Sequence, residues 1–126
     1  MTIAVALDRL REEIERFGPA AYLMTAGEDS RPHCVSVAVD WQGDALVVEA
    51  GNRTLRNAEA RPLASLLWPP YESDGYSLIV DVVARAGRAA NSVGLEPTNA
   101  VLHRNAPAPG AGPSSCGNDC VPLTKS

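Results

Sequence analysis

The segment Asn52-Arg53-Thr54-Leu55-Arg56-Asn57 holds two guanidinium groups, a hydroxyl and two side-chain amides in one short run. If a helix begins here with Thr54 as its N-cap, the free backbone N–H groups of the first turn join them. Such a donor set suits a phosphate, because charge-assisted bonds from arginine are short, planar and often paired. The same residues also describe an exposed helix with solvated arginines and a Thr cap. Both readings stand on composition alone.

A second group lies on a strand. From Pro32 to Trp41 the chain alternates, with His33, Val35, Val37, Val39 and Trp41 on one side and Cys34, Ser36, Ala38 and Asp40 on the other. This strand offers backbone donors, small side chains and an apolar face in His33, Val35, Ser36 and Val37. Equally, Val35 and Val37 read as barrel core and His33 as a strand-end histidine. His33 is the histidine placed to donate a proton or to bind a haem iron, since His103 sits in the apolar stretch AVLHR. Trp68, followed by Pro69 and Pro70, forms either a rigid wall beside a ligand or a core or dimer-interface aromatic. Cys116 and Cys120 are separated by Gly-Asn-Asp. This CxxxC closes a small disulfide, binds a soft metal together with Cys34 or a second subunit, acts as a redox pair, or is two free thiols in an unstructured tail, and no other metal site is expected.

These residues need elements to hold them. Leu7, Leu10, Ile14 and Phe17 share one helical face, and Gly18-Pro19 ends that helix. Six strands follow: Ala21–Ala26, Pro32–Trp41, Ala45–Ala50, Leu63–Trp68, Tyr76–Arg85 and Val93–Arg104. A short helix lies between Gly51 and Pro62, and Pro97 demotes the sixth strand to an edge or to two pieces. Short strands joined by tight turns imply an all-β antiparallel barrel capped by short helices. Residues 1–104 form the domain and 105–126 a Pro/Gly-rich tail carrying the CxxxC.

Composition narrows the chemistry. A chain of 126 residues, 45% hydrophobic and 21% charged, is one ordinary globular domain. Of its 11 cations, ten are Arg and the one Lys is the penultimate Lys125, which argues against Schiff-base and P-loop lysine chemistry. A net charge of −4 argues against nucleic acid. Yet Gly51 to Pro62 carries Arg53, Arg56 and Arg61 against Glu59 alone, a local basic patch suited to a small anion. The first residues hold neither a leader nor a membrane span, and three cysteines fit a reducing compartment, so the expected location is the cytoplasm.

The order of elements, with PHCVSVAVDWQGDALVVEAGNRTLRNAEARPLASLLWPP, YSLIVDVVARAG and AVLHR, resembles the flavin-binding split barrel of the pyridoxamine 5′-phosphate oxidase-like superfamily. The resemblance covers residues 7–104. It implies a six-stranded antiparallel split barrel, homodimeric, with a flavin-type cofactor in each of two clefts between subunits. Among actinobacterial relatives many use deazaflavin in place of flavin mononucleotide (FMN), some bind haem, and some have no known reaction. The substrate-binding residues of the true oxidases near the C-terminus have no match here. By resemblance, Arg53, Thr54, Arg56 and Asn57 hold the cofactor phosphate, and His33, Val35, Ser36 and Val37 lie along the ring.

Three functions follow as expectations. The first is an oxidoreductase moving a hydride or electron pair through FMN or deazaflavin to a small molecule, with no side chain required as nucleophile. The second is a non-catalytic carrier of flavin, deazaflavin or haem on the same fold. The third is a dimeric barrel that has lost its ligand and makes protein contacts through its cysteine tail.

Overall fold

The computed structural model describes residues 1–105. In chain order the elements are β1 (Thr2–Ala4), a 3-10 turn (Leu7–Arg9), α1 (Leu10–Phe17), β2 (Ala20–Ala26), β3 (Pro32–Ala38), β4 (Asp40–Gln42), β5 (Ala45–Glu49), α2 (Asn52–Ala60), β6 (Leu63–Trp68), β7 (Ser77–Ala86) and β8 (Ser92–His103). All strand pairs are antiparallel, in the order β3-β2-β6-β7-β8-β5-β4, with β1 added to β8. The two ends of this path, β3 and β4, are consecutive in the chain, so the sheet curls back towards itself as a half-barrel.

Eight strands replace the six expected, for two local reasons. The Pro32–Trp41 strand breaks at Val39, whose N–H donates to the Pro19 carbonyl at 2.8 Å. β3 therefore pairs with β2 up to Ala38↔Ala20, while β4 pairs with β5 from Asp40↔Val47. β1, which has no periodicity of its own, is created by its partner through Thr2↔His103, Ile3↔Leu102 and Ala4↔Val101.

Pro97 does not split β8. On one edge of β8, β5 covers Ser92 to Leu95 and β1 covers Val101 to His103, so Pro97 falls between them. On the other edge a register shift opens opposite Asp81 and Val82. A bulge and an unpaired edge together remove the need for a proline N–H.

The concave side of the sheet is the core. Leu23, Leu46, Leu66, Trp68, Leu78 and Leu95 are at most 1% exposed, and Leu10 and Ile14 of α1 close over them. Each fully buried leucine is worth ~1.5–3 kcal/mol of transfer free energy. The alternation in β6 and β7, with Ala64, Leu66 and Trp68 facing Leu78, Val80 and Val82, makes this side continuous. α1 stops at Gly18, whose φ of 89° lies in the region glycine favours.

Candidate functional site

The cleft lies between the β2–β3 turn and α2. The turn is tight: Gly27 N–H donates to Arg31 O at 2.9 Å, and Ser30, at φ 66°, donates to Gly27 O at 2.9 Å. Asp29 accepts the Arg31 N–H at 3.1 Å, which fixes the turn and presents Arg31, Pro32 and His33 to one side.

α2 differs at its start from the expectation. Gly51 is the N-cap, in extended conformation (φ −78°, ψ 175°), and Thr54 lies inside the helix, 2% exposed. Thr54 is thus neither a cap nor open to a ligand, because it falls on the face that packs against the sheet beside Asn57 and Ala58. At the other end Arg61 N–H closes the helix on Asn57 O at 2.8 Å, and Pro62 follows.

The outward face of α2 and the turn enclose about 690 Å³. That falls within the ~300–1,000 Å³ range of small-molecule sites. His33, Arg53, Arg56 and Asn57 all line it, joined by Arg31 and Arg61, with Glu28, Asp29 and Glu59 as its acidic members. Arg53 and Arg56 are exposed and, among the described residues, make no ion pair or side-chain hydrogen bond. Two guanidinium groups on one helical face, three residues apart, thus line the same space, and among the described residues no carboxylate of that cleft is in ion-pair contact with either.

Beneath them is a buried polar chain. Asn57 Nδ2 donates to Thr25 Oγ1 at 3.2 Å, and Arg61 donates from Nη2 to Asn57 Oδ1 at 3.2 Å and from Nε to the Ala26 carbonyl at 2.7 Å. Thr25 and Asn57 are 4% and 5% exposed. The chain ties α2 to the end of β2 and satisfies polar groups that would be costly to bury unpaired.

The other residues expected at the site go elsewhere. Trp68 is fully buried and its indole N–H donates to Gly18 O at 2.8 Å, so it is core and not a cofactor wall. Val35 and Val37 are half-buried and packed against the core. Ser36 is exposed on the opposite face of β3, across from Tyr22 on β2. Strand alternation divides the proposed ring wall between two faces. Cys34 is exposed on the Ser36 side; Cys116 and Cys120 lie outside the described residues. Among the described residues no three His, Cys, Asp or Glu side chains gather to hold a metal, and no helix is long and apolar enough to cross a membrane.

Arg31 is the member that residue pattern missed, and Arg61 was placed in the basic patch but given no contact with the cofactor. The structure puts Arg61 at the C-cap of α2, four residues after Asn57, where it lines the same cleft. Arg31 had only its adjacency to Pro32-His33, and the turn geometry brings it in.

Comparison with known proteins supplies relatives. No family model matches the chain. Two proteins are 36% identical over 133 aligned positions, covering 93% of this chain and 93% of each: uncharacterized protein Mb0449c of Mycobacterium bovis and uncharacterized protein MT0457 of Mycobacterium tuberculosis. The chain belongs to their family. The chain shares its fold with several solved structures. The FAD binding protein from Mycobacterium smegmatis aligns with a TM-score of 0.60 at 13% identity, over 81% of this chain and 98% of that one. HutZ, the haem storage protein from Vibrio cholerae, aligns at 0.56 and 15% identity, over 79% and 96%. An F420 reductase aligns at 0.54 and 15% identity, over 66% and 90%. At these identities the likeness is one of fold.

Proposed function

We propose that this protein binds a flavin-type cofactor, FMN or deazaflavin, with the phosphate in the cleft beside α2, and passes a hydride or electron pair to a small molecule. The observation that carries the reading is the convergence of His33, Arg53 and Arg56 on one cleft, with both arginines unspent by the fold. The structural neighbours named for FAD, F420 and haem support a cofactor role for this fold.

The residues present fit the phosphate end of such a group: guanidinium donors near the first turn of α2 match its charge and geometry. On the face of β3 opposite His33, Val35 and Val37, the exposed side chains Cys34, Ser36 and Ala38 are small and leave the backbone open to a flat ring. The cofactor, once bound, supplies the redox chemistry. The chain's own residues bind the phosphate, orient the ring along β3, and, at His33, place an imidazole at the cleft wall that can hold or release a proton. The homodimer, with a second copy completing the ring site, and a cytoplasmic location are parts of the same proposal. Sedimentation and cell fractionation test them.

A carrier function for flavin, deazaflavin or haem is the second reading. One observation favours its haem form: His33 lines the cleft. The absorbance spectrum of protein purified from its own host separates these ligands. Turnover of reduced cofactor with an electron acceptor separates enzyme from carrier. Failure to bind FMN, deazaflavin or haem at micromolar concentration overturns both readings.

A further inference from the structure

The arginines of the cleft are held in two different ways. Arg53 and Arg56 are exposed side chains without partners among the described residues. Arg61 is half-buried and fastened at two of its nitrogens, Nε to Ala26 O at 2.7 Å and Nη2 to Asn57 Oδ1 at 3.2 Å. Arginine only donates, so the Asn57 atom facing it is the oxygen, and the Asn57 NH2 must turn to the Thr25 hydroxyl, which accepts at 3.2 Å. That orientation admits no flip, and Thr25 and Asn57 are at least nine-tenths buried. A guanidinium has five N–H groups; with two engaged, the remaining three, on Nη1 and Nη2, are left for the cleft that Arg61 lines. The side chain has already lost its rotamer freedom, so a ligand that meets these donors does not have to order it.

We propose that Arg61 is the fixed phosphate donor of this cleft, aimed by the buried Asn57–Thr25 pair, and that it sets the preference for a phosphate monoester over its dephosphorylated counterpart. Arg53 and Arg56 supply charge, and Arg61 supplies direction. Asn57 is then a positioning residue, touching Arg61 in place of the ligand. This rests on the phosphate reading of the cleft and adds to it which group makes the selection.

The test uses the full chain with FMN and riboflavin, which differ by the phosphate, followed by flavin fluorescence quenching. Wild type should bind FMN at least about tenfold tighter than riboflavin. Arg61→Lys keeps the charge but cannot span Ala26 O, Asn57 Oδ1 and a ligand together, so it should lose about tenfold in FMN affinity with riboflavin unchanged. Asn57→Ala should lose FMN affinity selectively as well, an outcome a merely structural role would not produce. Arg53→Lys and Arg56→Lys should lose less than about threefold.

Arg61→Lys binding FMN like wild type, with Arg53→Lys or Arg56→Lys losing it, would overturn the Arg61 assignment and leave the phosphate reading standing. A wild type blind to the difference between FMN and riboflavin overturns the phosphate reading for flavin. The Arg61 claim is then decided separately, by the 15N-resolved Nε–H signal of wild-type Arg61 on adding pyrophosphate. A saturable shift upholds a fixed anion donor, and a static signal removes it. The same measurement decides the matter if Arg61→Lys fails to fold.

Discussion

Arg11 lies over the Trp41 ring at 4.2 Å and donates to Gly43 O at 2.8 Å, Arg104 lies over Tyr76 at 4.7 Å, and Arg85 reaches Glu96 at 2.8 Å. Each of these cations holds one element to another. Beside α2 the pattern reverses: Arg53 and Arg56 have no such partner among the described residues, and Arg61 is tethered in a way that leaves donors open. An arginine is costly to order and readily satisfied by any nearby carboxylate, so a group left unspent beside a cleft is chemically informative where one stacked on a ring is not.

The comparison predicts that residues spent on the fold and residues spent on a ligand separate by assay. The largest effect belongs to the core. Trp68→Ala should cost about 3–5 kcal/mol of stability by urea denaturation, from lost burial and an orphaned Gly18 carbonyl. A loss below ~1 kcal/mol would show that Trp68 is not the core residue described above.

Next is Arg56→Ala, expected to weaken FMN binding by about 1.5–3 kcal/mol while leaving the melting temperature within error. Unchanged titration would remove Arg56 from the phosphate site. Arg11→Ala should do the opposite, lowering stability by about 1 kcal/mol through the lost ring contact and carbonyl bond, with FMN affinity intact. If FMN affinity falls instead, the division between the two groups of arginines is wrong.

The smallest effect is that of Arg85→Ala. Its pair with Glu96 is 67% and 56% exposed, so the change should stay below about 1 kcal/mol and fade as salt is added. A salt-insensitive loss larger than that would mean Arg85 does more than bridge β7 to β8.

Much of the fold was legible because its signals are local. The alternation of β3, β6 and β7, the amphipathic α1 and the Gly18-Pro19 stop each follow from side-chain period and backbone preference within a few residues. β1 and the break at Val39 were not legible, since the first exists only through β8 and the second through the Pro19 carbonyl. Thr54 was misplaced for a related reason: the N-cap is Gly51, and a hydroxyl three residues into the helix turned to the buried face.

The sequence by itself determined that an arginine-rich segment would sit on a short helix after a Pro-His strand, since charge count and period need no distant partner. Only the tertiary structure decided which of those residues share a space. It brought Arg31 and His33 across from Arg53, Arg56 and Arg61, withdrew Thr54 and Trp68 into the interior, and gave Asn57 to Arg61. The physical reason is that a helix and a strand each show their neighbours one face. Which face becomes cleft and which becomes core depends on how the sheet curls beneath them, and that is set by contacts far apart in the chain.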